Sequence, residues 1–389
     1  MKKTMFRKIV AILLILVLIF TFAACKNGTA GKPEKVVESE KKVAILVAPE
    51  SQYPEDYRAA QELAAEYPEK VIVKEYSDSR ILRAGDPEIM QFSKELASDP
   101  QIGAIIYSRA TQFTTNAIHS AESVNPNIVT ICVEPEESIE IISSIANLVF
   151  CADWTKVAAD AVASAKEQGA EYFVLFSINR HITNNPMYSA LNTAFKNACE
   201  TNGIKYVYDN SVDPIYSSGI KGAQLYIKES IARLFNNEKI NGNNIALFST
   251  DSSVQSTLVE IAKDRGFIYT CPSFPTAYNG IGEAFEIAMP EKISDVKTYI
   301  EAAKAVEIPA GEVAPRYSMY NFPLATTLIK SAVHCAFDIL NGTTTAENLA
   351  EKVQARVIAA ANNKDFTIAP YGELTNTFTV YCPGFEIVK

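Results

Sequence analysis

Histidine and tryptophan are scarce in this chain, with three histidines and one tryptophan among 389 residues. His119, His181 and His334 stand far apart, and none forms an H-x-x-H or H-E-x-x-H, which removes the common helix-borne zinc sites. Neither a G-x-S-x-G nucleophile elbow nor a G-x-x-x-x-G-K-[ST] phosphate loop occurs. Gly280-Ile-Gly282 follows no clean strand and is a poor dinucleotide signal. No cofactor and no metal are expected on these grounds. Close C-x-x-C pairs are also missing. Beyond Cys25, the cysteines at 132, 151, 199, 271, 335 and 382 each fall inside apolar strand-like or helix-like runs. Buried free thiols are the favoured reading, with one disulfide as the alternative. Basic charge is short as well. Without its first 24 residues the chain holds 32 basic against 45 acidic side chains, a net charge of -13. Nucleic acid, whose binding needs clustered Lys and Arg, is therefore excluded as a partner.

What is present begins at the N-terminus. Lys2, Lys3, Arg7 and Lys8 precede an unbroken apolar run from Ile9 to Phe20. A membrane span needs about 20 apolar residues, and this run is shorter, so it reads as a secretory signal over residues 1–24. Thr21-Phe22-Ala23-Ala24-Cys25 resembles the lipobox of bacterial lipoproteins, with Phe22 where Leu is most common. That resemblance implies a diacylated Cys25 and a protein lipid-anchored to the cell membrane, facing outside the cytoplasm. An uncleaved anchor and plain secretion are the alternatives. Residues 25–41 are polar and aperiodic, and read as a flexible tether.

From Lys42 the pattern is strand then helix, repeated. After Lys42, VAILVA is an unbroken apolar run, and IGAIIY and IVTICV are almost wholly apolar, as strands buried on both faces must be. Four such rounds precede Asn147, and about four follow Gly169. The stretch between them, NLVFCADWTKVAADAVASAKEQG, reads as a buried strand, a polar corner at Cys151–Trp154 and an amphipathic helix. Strict alternation with short links specifies an α/β fold of two doubly wound parallel-sheet lobes joined by a multi-strand hinge. The expected lobes are 42–151 plus about 321–345, and 152–320 plus about 346–389. Asn179–Asn185 is expected as a polar loop, and Ala277–Ala288 as a helix.

Over Lys42–Gly342 the chain resembles the type 1 periplasmic-binding-protein superfamily. The likeness is carried by Lys42–Tyr76, by Phe150-Cys-Ala-Asp153, and by Ala246-Leu-Phe-Ser-Thr-Asp251 with the helix after it. Thr250 replaces the Asn of the latter motif. Leu191 and Ala194 occupy the usual Arg and Gly positions ahead of Phe195, and Cys271–Phe274 replaces a Gly-Phe-Asp strand end. The architecture therefore carries over better than the sugar chemistry. Regulators of this superfamily bear a DNA-binding headpiece where this chain has its signal segment.

In such folds ligands sit beyond the carboxyl ends of the strands. The candidates are Ser51, Tyr53, Arg109, Glu134, Asp153, Trp154, Asn179, Arg180, Thr250, Asp251, Tyr320 and Asn321, with Met187 and Tyr188 adding an apolar face. Each has a plainer reading: Asp153 and Asp251 as helix caps, Trp154 as hinge packing, Arg109 as half of an ion pair. The expectation is a non-enzymatic solute-binding protein that closes on a small polar ligand (a sugar, nucleoside or related metabolite) and delivers it to a membrane permease of the ABC type. A ligand sensor of the same fold and an exported hydrolase are the alternatives. Cys25→Ser is expected to abolish labelling of the protein by a fatty-acid analogue; label that persists would defeat the lipoprotein assignment.

Overall fold

An apolar run with no polar alternation is stable only where both faces of the strand are covered. The computed structural model, which describes residues 35–77, 88–184, 186–215, 218–236, 240, 242–270, 276–307, 316–361 and 365–388, places the runs there. The signal segment, Cys25, Cys271 and Asp86-Pro87, which reads in the sequence as a helix start with an N-cap and a first-turn proline, lie outside these residues.

The first half contributes β1 (Lys42–Val47), α1 (Pro54–Glu66), β2 (Val71–Glu75), α2 (Glu88–Ser98), β3 (Ile102–Tyr107), α3 (Thr114–Glu122), β4 (Val129–Val133), α4 (Ile139–Ile145) and β5 (Leu148–Ala152). Next come α5 (Trp154–Glu167), β6 (Tyr172–Ile178), α6 (Asn179–Asn184), α7 (Pro186–Thr201), β7 (Lys205–Ser211), α8 (Gly219–Asn236), β8 (Ile245–Ser249), α9 (Gln255–Arg265), β9 (Ile268–Tyr269), α10 (Ile281–Ala284), α11 (Val296–Ala305) and β10 (Arg316–Tyr320). The chain ends with α12 (Leu324–Leu340), α13 (Leu349–Ala361), β11 (Thr367–Pro370), β12 (Thr377–Tyr381) and β13 (Phe385–Ile387). One sheet has seven strands in the order β11-β12-β5-β4-β3-β1-β2, and the other six in the order β13-β10-β9-β8-β6-β7. Pairing is parallel except at β11–β12 and β10–β13. The α/β reading with two parallel-dominant lobes thus holds.

The chain passes between the sheets three times: from β5 into α5, from β10 into α12, and from β12 to β13. The tail departs from expectation. Rather than completing the second lobe, β12 pairs with β5 in the first sheet and α13 packs on α12; only β13 joins the second sheet. Thr377, Phe378 and Val380 are buried because β12 lies between β5 and β11, a placement that a sequence period alone does not locate. The end of the expected tether is also seated on the body, where Asn341 Nδ2 donates to the Val37 carbonyl at 3.0 Å.

At the hinge, Tyr320 Oη donates to the Cys382 carbonyl at 2.6 Å and Tyr381 Oη to Asp160 Oδ2 at 2.6 Å. Gly384 has φ 147° there, and a Cβ on it would meet Asn321 Oδ1. Only glycine fits that crossing.

Two further expectations change. Asn179–Asn184 is a short helix, not a loop, because Asn179–Arg180 continues directly from β6 without a turn. The helix expected over Ala277–Ala288 shrinks to α10, preceded by Gly280 at φ 77°. Cys132, Cys151, Cys199 and Cys335 are buried free thiols, and Cys382 is buried.

Most of α12 is buried from end to end, as a helix apolar on all sides requires. Asp338 on it meets Arg356 of α13, itself 1% exposed, through Nε–Oδ2 and Nη2–Oδ1 contacts of 2.6 and 2.7 Å. Asp338→Ala removes the buried carboxylate that this guanidinium bonds twice and is expected to cost about 3–5 kcal/mol. Asp338→Leu combined with Arg356→Met should recover most of the loss; urea unfolding midpoints check both.

Candidate functional site

Strand order reverses at β1/β3 in the first sheet and at β6/β8 in the second. At such a reversal the flanking loops leave in opposite directions and open a crevice beyond the strand ends. Both crevices hold chemistry.

On the first-lobe wall, Tyr53 follows β1 and Arg109 follows β3. The Arg109 guanidinium lies 4.4 Å above the Tyr53 ring and bonds both Asp56 oxygens at 3.2 Å. Burial is the largest single effect and opposes its charge, but Asp56 together with Tyr53, Glu134 and Tyr188 outweighs it and holds the guanidinium ionised. Tyr53 Oη reaches Glu136 at 3.4 Å. Glu134 ends β4 in a left-handed conformation, φ 49°, unusual for a residue with a Cβ. Its carboxyl, on a residue 2% exposed, takes the Ala152 amide and the Trp154 indole N–H, the latter at 3.3 Å. Burial pushes that carboxyl up to about 7, with Arg109 pulling the other way. Strain of this kind collects at functional sites.

On the second-lobe wall, Arg180 pairs with Asp213 at 2.8 Å. His181 stacks on Tyr188 with centroids 4.3 Å apart and an interplanar angle of 13°. Its Nδ1 lies 2.9 Å from Thr250 Oγ1, which is in turn 2.7 Å from Ser177 Oγ. Tyr188 also faces Trp154, with centroids 6.3 Å apart. Burial raises the Tyr188 hydroxyl pKa well above its ordinary value, and the charges it feels next are Glu136, Arg109 and Glu134 of the opposite wall. Arg180 likewise feels Glu136. The two walls therefore face each other.

Of the predicted residues, Tyr53, Arg109, Glu134, Trp154, Arg180, Tyr188 and Thr250 gather at this seam. Asp153 sits beside it as the cap of α5, accepting from the Lys156 amide and pairing with Lys156 Nζ at 3.0 Å. Asp251 bonds the Ser253 amide and hydroxyl, each at 2.9 Å. Met187 is buried; Ser51 and Asn179 are exposed. Tyr320 and Asn321 are tied to the tail at the hinge instead, through the Cys382 and Gly384 carbonyls. Leu191 and Phe195 are buried, and Phe195 stacks on Phe173 at 4.9 Å. The lost Arg position is thus part of the apolar core.

Sequence reasoning missed Asp56, Glu136, His181 and Asp213. Asp56 lies in the first turn of α1, where an acidic residue reads as ordinary helix-start chemistry. It also missed Glu55, a carboxyl bridging the lobes: Oε1 accepts the Thr326 amide at 2.9 Å and Oε2 meets Thr276 Oγ1. No group of three or more His, Cys, Asp or Glu among the described residues is placed to hold a metal ion.

The fold is that of the type 1 periplasmic-binding proteins, on solved structures that cover nearly the whole chain. A candidate transcriptional regulator from Clostridium difficile 630 matches with a TM-score of 0.66 at 18% identity, covering 90% of this chain and all (100%) of that one. An ABC transporter solute-binding protein from Clostridium phytofermentas, with bound L-rhamnose, matches with a TM-score of 0.52 at 10% identity, over 90% and 96% of the two chains. The substrate-binding protein of a sugar ABC transport system from Bordetella parapertussis 12822 matches at 0.54 and 8% identity, over 91% of each. Residues 41–314 match the model of the family described as "Protein of unknown function (DUF3798)", and the chain belongs to that family. An uncharacterized protein of Treponema pallidum (strain Nichols) is 26% identical over 130 residues, 33% of this chain; the chain spans 59% of that relative's length.

Burial pushes the Glu55 carboxyl from 4.5 up to about 7. A carboxyl raised in the folded state stabilises it fully below pH 4.5 and loses that contribution as pH rises through about 7. Glu55→Gln, which keeps the shape and the Thr326 bonds, is expected to flatten the fall in stability between pH 5 and pH 8 by up to about 3 kcal/mol. Urea midpoints at the two pH values measure it, and an unchanged slope defeats the assignment.

Proposed function

We propose that the seam is a ligand cleft, and that the protein is an extracytoplasmic solute-binding lipoprotein, held to the membrane through Cys25, that closes on a small polar ligand and delivers it to an ABC-type importer. The observation that carries this reading is the convergence of both strand-order reversals on one set of groups. Arg109, Glu134 and Arg180 are directional polar partners, and Tyr53, Trp154, Tyr188 and His181 are flat faces. Rings cover the apolar face of a ligand while ionised groups bond its edges in a site with little water. Two of the structural relatives, both solute-binding proteins of ABC systems, support the same reading.

Sensing is the second reading, favoured by the likeness to a candidate regulator over the whole of that chain. In it the closed form signals to a membrane receptor instead of a permease. Hydrolysis fits poorly. Thr250, the hydroxyl bonded to His181, and Ser177 beyond it are 3% and 0% exposed and bonded to each other.

A ligand that binds only the folded state raises its stability by about 2.7 kcal/mol at a hundred times Kd. Screening sugars, nucleosides, amino acids and vitamins is therefore expected to reveal at least one that raises the melting temperature by several degrees. The same compound should change the emission of Trp154, the sole tryptophan, which lies between the Glu134 carboxyl and the Tyr188 ring. If no compound moves either signal, the cleft reading fails.

A further inference from the structure

His181 has an arrangement that the ligand cleft alone does not explain. Ser177 is 0% exposed, and among the described residues the one partner of its hydroxyl is Thr250 Oγ1. A sealed hydroxyl must place its hydrogen on an acceptor, because no water can take it. Ser177 therefore donates to Thr250. Thr250, 3% exposed, then has its own hydrogen left for His181 Nδ1 at 2.9 Å. With Nδ1 accepting, a neutral imidazole carries its proton on Nε2.

No described group takes Nε2, and that atom is not among those sealed from solvent. The ring is 9% exposed and is gripped flat against Tyr188. We propose that His181 is a fixed hydrogen-bond donor of the cleft, its Nε2–H aimed by the Ser177–Thr250 relay, and that it selects ligands presenting a hydroxyl or carbonyl oxygen at that point. Thr250 is then a positioning residue that sets the tautomer. This inference rests on the cleft being a ligand site.

The electrostatic surroundings agree. Burial and then the adjacent Arg180 cation hold the imidazole well below its ordinary pKa, so it stays neutral. Arg180 is itself paired with Asp213 and feels Glu136 and Tyr188. An ammonium ligand at Nε2 would meet one donor and the Arg180 charge, and is disfavoured on both counts.

Long-range proton–nitrogen correlation on the 15N-histidine-labelled chain reads the tautomer directly. Only three histidines are present, and His181→Phe assigns the signal. The wild-type protein should show a bare Nδ1 and a protonated Nε2 at His181, unchanged between pH 5.5 and pH 8. Ser177→Ala and Thr250→Val should each give mixed tautomers, and Thr250→Val an imidazole that begins to titrate. A wild-type Nδ1–H tautomer, or ordinary titration, overturns the proposal.

L-rhamnose, D-ribose, D-galactose and adenosine serve as ligand probes. For any that raises the wild-type melting temperature, His181→Phe, which keeps the stacking but lacks the N–H, should weaken binding about tenfold. Undiminished binding by that variant overturns the proposal. If none of the four binds the wild-type protein, the solute-binding reading loses them as ligands, whereas the tautomer measurement still decides whether Nε2–H is held as the donor.

Discussion

A parallel strand has to be followed by a crossover that returns the chain to the sheet's far end, so every strand in it leaves its carboxyl end on one edge. Two such sheets, joined by three crossings, turn those edges toward a common seam. The rest of the molecule answers to that constraint. Polar side chains at strand ends are driven into a region that excludes water, where an unpaired charge is costly. Asp56 meets Arg109, Asp213 meets Arg180, and Glu134 is held by an amide and an indole. The carboxyls that gain no dedicated cation, Glu55 and Glu134, respond by holding protons up to about 7.

The seam and the hinge divide the work differently. Hinge groups are tied with short bonds to backbone carbonyls, and Gly384 admits the tail where a side chain would strike Asn321. The ion pairs, ring stacking and hydroxyl relay at the seam instead lie within one wall or the other, and across the gap Tyr188 and Arg180 feel the charge of Glu136. A clamshell that opens at the seam and keeps its hinge needs that difference. Glu55 lies between the two regimes, since it touches Thr326 at the start of α12 and Thr276 of the second lobe.

Membership of the DUF3798 family and the shared architecture of sugar-binding proteins do not bring their ligand chemistry with them. The position where sugar binders carry an arginine holds Leu191, which lies in the core with Phe195 and Phe173. The polar groups that the second lobe brings to the seam stand instead on α6, where Arg180 and His181 follow β6 directly. That element was expected as a loop, and its folding into a helix puts both side chains on the seam.

Strand-helix alternation, the two sheets and most of the strand-end candidates were legible because they depend on local period: an apolar run seven residues long has one stable setting whoever its neighbours are. Arg109, Glu134, Trp154 and Thr250 were reached that way. The partners were not legible, since Asp56, Asp213 and Ser177 lie 53, 33 and 73 residues from the groups they hold. Tyr320 and Asn321 passed as cleft residues because a strand end at the hinge reads like any other. By itself, then, the sequence determined which elements form and which residues end them, through hydrophobic period and capping chemistry. Only the tertiary structure decided that the tail splits between sheets and that a buried serine orients a histidine, because edge pairing and hydrogen-bond direction arise from contacts between distant parts of the chain.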